Sequence, residues 1–371
     1  MARGRGGWAR TVGLGILLLA VAVVYVGVGL RLFDQYQRAY IGYQVEPASA
    51  CGAVVGWNPP QRIFTGFYPN QPSLLTVRYR STVPQPLRLT LSIPHFTEEQ
   101  SIDVQGTTEY QHLAFKPPLL SSDVLDTLVS PGARDEEIIL SIRGGNGKTC
   151  DKSASVRLES RQLIQWEDAA GHDQADYLAG WVTPQAHEVS DLVSTAAAWL
   201  TDPAHASDYP AAPAFFGYDS GAASASAVTE QVNALFDTLQ FKKHLQYVDE
   251  NVPYQQGATQ LIQLPKDVLG STPPTGMCVE TTVLLASAAE RIGLRTFVVI
   301  VPHHAFLGVA LGTGPNAPKG YWETNVLGDG ANGDHANLVG MGEYNQFQSR
   351  GQILKVVDVE QQRQRGIEPI E

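Results

Sequence analysis

The hydrophobic residues change period near residue 165, and no other feature constrains the fold as strongly. Before that point apolar positions alternate. Leu87, Leu89, Leu91 and Ile93 are interleaved with Arg88, Thr90 and Ser92, and Leu75, Val77, Tyr79 and Ala154, Val156, Leu158 follow the same rule. A period of two marks a strand with one buried face. Ile138 to Ile142 is a shorter, more continuously apolar strand. The clusters Tyr68-Pro69-Asn70-Gln71-Pro72 and Gly144-Gly145-Asn146-Gly147 have the composition of turns. Beyond Trp166 apolar residues recur every three or four positions. Leu192, Ala196, Trp199 and Leu200 form one helical stripe, with Ser190 or Asp191 as its N-cap, and Val228, Val232, Leu235, Phe236 and Leu239 form a second. Between them, residues 203–227 are rich in Ala, Ser, Gly and Pro and read as a loop, the kind of segment that covers a site in other proteins. Strands first, then helices and further strands, predict an α+β chain with a β-sandwich over 46–165 and a second domain over 166–371.

The N-terminus sets the expected compartment. Val12 to Leu30 contains no charged residue, and its 19 residues at about 1.5 Å rise span roughly 28 Å, close to a ~30 Å hydrocarbon core. Arg3, Arg5 and Arg10 precede it, whereas Arg31, Asp34 and Arg38 nearly cancel after it. The positive-inside rule then predicts a cytoplasmic N-terminus at 1–11, a transmembrane anchor at 12–32, a linker at 33–45 and everything later outside. A cleaved signal peptide is the rival, but the apolar run is longer than the usual h-region and no A-x-A site directly follows. No second stretch approaches this length, so the expectation is a single-pass protein of the cell membrane.

Composition removes whole classes. With 43% hydrophobic and 17% charged residues, a disordered chain is excluded. A net charge of -11 argues against a nucleic-acid partner, which needs a basic face. Three cysteines exclude a disulfide-dense scaffold and a multi-cysteine metal cluster. Outside the cytoplasm Cys51 and Cys150, which bracket the strand-rich block, are expected to form a disulfide where geometry allows, leaving Cys278 over. Several motif fragments fail. Gly144 to Thr149 reads GGNGKT, but a phosphate loop needs Gly where Ile142 stands. His187-Glu188 lacks the second His of a zinc helix. Ser220 in GYDSG does not fit a nucleophile elbow. Asp329 and Asp334 lack calcium-loop spacing. The expectation is a protein without metal or cofactor.

The chemistry concentrates between Gly276 and Gly328. Gly276-Met277-Cys278-Val279-Glu280 opens a helix whose apolar face is Val283, Leu284, Ala288 and Ile292, with Gly293 at C′. Cys278 therefore sits in the first turn, where the helix dipole favours a thiolate. Thr296 to Val301 is a strand. Pro302-His303-His304 leads into another, Ala305 to Leu311, and a third, Tyr321 to Val326, carries Glu323. Taken singly these residues are ordinary: a helical Cys is usually a small buried hydrophobe, a His beside an aromatic a core histidine, a Glu on a strand a surface charge, and Glu280 a helix N-terminal charge. In this order they suit a thiolate–imidazolium pair oriented by a carboxylate.

The segments GMCVETTVLLASAAERIGL, VIVPHHAFLGVAL and YWETNVLG resemble the transglutaminase-like superfamily and are similar to its bacterial membrane-anchored branch. The likeness spans roughly 240–371, and more loosely from about 178. It implies a papain-like transglutaminase core following an immunoglobulin-like sandwich, with Cys278, His304 and Glu323 as the catalytic triad. Animal members usually carry Asp where Glu323 stands. The place of His303 is often Gly in the bacterial branch, which leaves open which of the two histidines faces Cys278. By analogy with papain-like enzymes, an upstream Gln260 or Gln263 would supply an oxyanion amide. The resemblance implies action on amide or peptide bonds of a protein or peptide substrate outside the cytoplasm through a thioester, with hydrolysis favoured over amine transfer. The competing class is a catalytically silent cell-surface binding or scaffold protein built on the same fold.

Overall fold

The computed structural model describes residues 44–45, 50–129, 132–168, 170–219 and 224–370. The expected anchor at 12–32 and its flanks up to residue 43 lie outside them. Among the described residues no helix is long and apolar enough to cross a membrane.

The chain is α+β and divides into two compact units. The first comprises residues up to Gln61, Pro72–Leu120 and Glu136–Val156; the second comprises Arg62–Gln71, Ser121–Asp135 and everything from Arg157. The single block expected over 46–165 is thus interrupted, because two internal excursions and its last residues belong to the second unit.

The strands in chain order are β1 (Gln44–Val45), β2 (Ala53–Trp57), β3 (Arg62–Phe64), β4 (Leu75–Ser81), β5 (Gln85–Ser92), β6 (Gln100–Gly106), β7 (Gln111–Phe115), β8 (Arg134–Gly144) and β9 (Thr149–Glu159). In the first unit β1-β2-β4-β7 form one sheet and β9-β8-β5-β6 run side by side in another. Alternation decides which face each strand buries. Leu87, Leu89 and Leu91 are fully buried, while between them Arg88 faces solvent and grips Asp103 on β6 through both guanidinium arms. The GGNGKT segment is the β8–β9 hairpin turn, closed by Gly147 N–H donating to the Gly144 carbonyl at 2.9 Å. Gly147 has φ +75°, which glycine adopts without steric cost.

The second unit adds β10 (Leu163–Gln165), α1 (His187–Thr201), α2 (Ala225–Phe241), β11 (Gln246–Tyr247), β12 (Thr259–Leu261), α3 (Pro265–Gly270), β13 (Thr275–Gly276), α4 (Cys278–Arg291), β14 (Thr296–Val301), β15 (His304–Ala310), β16 (Lys319–Trp322), α5 (Gly333–Ser349), β17 (Lys355–Asp358) and α6 (Val359–Gln364). Its main sheet has the antiparallel order β16-β15-β14-β17. Helix α1 begins at His187, a turn before the expected Ser190 or Asp191, because Val189 already belongs to its buried face. Helix α4 departs from an amphipathic stripe: every residue from Cys278 to Ala289 is buried. A helix covered on all sides carries polar groups only where they find partners. Accordingly Ser287 Oγ donates to the Val283 carbonyl at 2.6 Å and accepts the Thr183 N–H at 2.9 Å. Gly293 ends the helix with φ +84°, as its C′ position requires. The loop between α1 and α2 packs at the far end of β15, where the Tyr218 hydroxyl donates to the Ala310 carbonyl at 2.6 Å.

Candidate active site

Three neighbouring elements bring the site together. Cys278 is the first residue of α4, with Met277 as N-cap. The turn is fixed by Glu280, whose carboxylate accepts the Met277 N–H at 3.0 Å and the Gln263 N–H at 2.8 Å. Glu280 is therefore a capping residue that ties the chain before α3 to the start of α4. Burial pushes its pKa up, and the two backbone donors oppose that shift.

His304 opens β15, paired with Val301 across the two-residue turn Pro302-His303. His303 has φ +66°, the left-handed region that glycine favours. That backbone turns the His303 side chain to solvent and sends His304 inward. Glu323 follows β16 directly and is fully buried. The expected third strand stops at Trp322 because Glu323 Oε1 accepts the Asn325 N–H at 2.8 Å and a turn begins.

His304 Nε2 lies 2.8 Å from Glu323 Oε2, and Cys278 is near enough to the imidazole to act on its protonation. Cys278, His304 and Glu323 are thus brought together. Burial by itself lowers the pKa of His304, but the hydrogen bonds and charges of Cys278 and Glu323 outweigh it and raise the pKa to about 10. Thr281 Oγ1 on α4 lies 2.7 Å from Thr324 Oγ1, so the helix bearing Cys278 is locked to the segment bearing Glu323.

Gln260 is close by but committed: its amide nitrogen donates to the Asn251 carbonyl at 3.3 Å and to Met277 Sδ at 3.0 Å, and its oxygen accepts Trp166 Nε1 at 3.2 Å. Gln263 lines a cavity of about 550 Å³ together with Val248, Glu250, Leu261, Asp267 and Met277. Cys51 and Cys150 are brought together in the first unit, with the Cys51 N–H donating to the Cys150 sulfur at 3.0 Å.

Three features escape a sequence reading. Tyr247 stands near Cys278, and its pKa is pushed up, first by burial and then by neighbouring negative groups. Residues 248–254 form a strap across the thiol: Cys278 Sγ points at the Glu250 carbonyl at 3.8 Å, and Val252 N–H donates to the His303 carbonyl at 3.2 Å. Beneath it Cys278 is 0% exposed. Glu343 of α5 reaches within 4.0 Å of His304 Nε2. Neither the short β11 nor the weakly apolar α5 leaves a periodic trace by which these could have been found.

His304, Glu323 and Glu343 are the described group whose donor atoms converge enough to suggest a cation, all within 4.8 Å of one another. A tetrahedral ion with ligands at about 2.0–2.1 Å needs donor–donor edges of roughly 3.3 Å. The 2.8 Å His304–Glu323 contact is a hydrogen bond that such an ion would have to break, so the arrangement as it stands fits a proton better than a metal. No family model, curated protein or solved structure matches the chain.

Proposed function

We propose that the chain is a transglutaminase-like cysteine enzyme, with a papain-like core following an immunoglobulin-like β-sandwich, that acts on amide or peptide bonds. The observation that carries the reading is the imidazole of His304, hydrogen-bonded to buried Glu323 and close enough to Cys278 for the two to act on each other's charge. Cys278 Sγ attacks the carbonyl carbon while its proton resides on His304. The negative oxygen of the tetrahedral intermediate is received by first-turn N–H groups of α4, which have no carbonyl partner within the helix. As the C–N bond breaks, His304 returns the proton to the leaving amine and a thioester remains. Water, deprotonated by His304, then releases the acid; an amine in its place would give transfer. Glu323 orients the ring and balances its charge throughout. The cavity beside Met277 carries Glu250 and Asp267 and, among the described residues, no basic lining residue, which suits a peptide with a cationic or apolar side chain. The substrate lies outside the cytoplasm, the protein is held at the cell membrane by residues 12–32, and Cys51 and Cys150, which no disulfide joins in the structure, would be oxidised there. A disulfide closing a loop of that size would stabilise by up to about 4–5 kcal/mol in the chain-entropy model.

The complete burial of Cys278 favours a second reading, a silent scaffold whose strap never opens. Fluorogenic peptides offered to the full chain separate the two. Cys278→Ala should abolish amine release without lowering the melting temperature. Turnover that survives Cys278→Ala rules out the mechanism; absence of both turnover and thiol alkylation in the parent selects the scaffold.

A further inference from the structure

Helix α5 lies unusually close to β16, and Gly340 is the reason. A Cβ at that position would stand 2.6 Å from the Tyr321 carbonyl oxygen and 2.8 Å from the Glu323 backbone nitrogen. Three residues on, and so on the same helix face, Glu343 is directed at the imidazole. Its Oε2 stands 4.0 Å from His304 Nε2, is shielded from solvent and makes no hydrogen bond. Within 4.8 Å of its carboxylate stands that of Glu323, already bonded to His304 through Oε2 and to the Asn325 N–H through Oε1. Two ionised carboxylates are acceptors only and give each other nothing. A single proton removes the conflict.

We propose that Glu343 is a positioning residue of this site: in its neutral form it donates an O–H hydrogen bond to the Glu323 carboxylate and holds that carboxylate on His304. The role rests on the Cys278–His304–Glu323 reading above. The groups facing Glu343 are Glu323 after β16 and His304 on β15; Cys278 acts on the imidazole and Tyr247 stands near Cys278, and Tyr344 stacks on Tyr321 at 3.8 Å. Burial, followed by the hydrogen bond to and the charge of Glu323, raises the Glu343 pKa, with His304 opposing. With Glu343 neutral, one carboxylate balances one imidazolium. Once Glu343 loses its proton, two negative charges bear on the same ring, and the imidazolium surrenders its proton less readily. The device therefore holds the site in working order on the acid side of neutrality and slows proton return on the alkaline side.

The test uses the full chain and iodoacetamide, with labelling of Cys278 followed by peptide mass spectrometry from pH 5 to 9. The variants are Glu343→Gln, Glu343→Ala and His304→Ala. Glu343→Ala should slow labelling at pH 6 by about tenfold, the equivalent of one hydrogen bond to a charged group, and Glu343→Gln should recover most of that loss because its amide still donates. The parent should show an inflection near neutrality that Glu343→Gln lacks. If His304→Ala slows labelling while both Glu343 variants follow the parent curve, the triad stands and the role of Glu343 is overturned. If His304→Ala labels like the parent, the triad reading fails and this role with it. Should Glu343→Ala not fold, the presence or loss of the inflection in Glu343→Gln decides alone.

Discussion

At the scale of single residues, the histidine pair shows how one dihedral assigns chemistry. His303 and His304 are indistinguishable as side chains, and alternation along a strand says only that they face opposite ways. The positive φ of His303 places it in the turn and exposes it, while His304 begins the strand and faces Cys278. With its pKa raised to about 10 by Cys278 and Glu323 against burial, His304 should still be an imidazolium at pH 8, as read from its ring nitrogen chemical shifts; a neutral ring at pH 8 would refute the ion pair. A histidine pKa raised on folding contributes stability that is complete below the unfolded value of about 6.5 and is lost as pH rises toward the folded one.

At the scale of elements, what lies around the nucleophile was the least legible part. The helix start, the two following strands and their order could be read from apolar periodicity and from Gly293. The strap could not, because its grip on the site consists of backbone contacts to Glu250 and Val252 that no side-chain pattern announces. Val252→Pro removes the N–H donated to His303. Losing one hydrogen bond worth about 1 kcal/mol should populate the open strap roughly fivefold more and accelerate Cys278 alkylation by that factor; an unchanged rate would mean the strap is not what limits access. Helix α5 was equally silent, since its buried face is only Gly333, Ala336 and Gly340. Gly340→Ala should cost about 1–3 kcal/mol through overpacking, seen as a lower melting temperature, and should reproduce the Glu343→Ala labelling profile by pushing α5 off the strand. A melting temperature at or above that of the parent would show that the close approach is not tight.

At the scale of the whole molecule, buried acids set the dependence of stability on pH. Burial raises the pKa of Glu290 to about 7 despite Arg363 nearby. The folded chain then holds a proton that the unfolded chain releases above about 4.3, so stability falls as pH climbs from there to about 7 and levels off beyond. Glu290→Gln should flatten that slope and raise the melting temperature at pH 8 relative to the parent; an unaltered slope would place the penalty elsewhere. Side-chain order alone was enough to establish that the chain is α+β, that strands precede helices, and that a cysteine at a helix start is followed by a histidine and an acid further along. These are local matters: side-chain period, turn residues and helix ends act over a few residues and leave their mark in the order of the chain. It took the folded arrangement to assign Arg62–Gln71 and Ser121–Asp135 to the second unit, to bring His304 rather than His303 to Cys278, to bury the thiol under a strap, and to stand Glu343 beside the imidazole. Those outcomes depend on the packing of segments far apart in the chain, where the absence of a single Cβ at Gly340 or the sign of one φ at His303 settles which side chains meet.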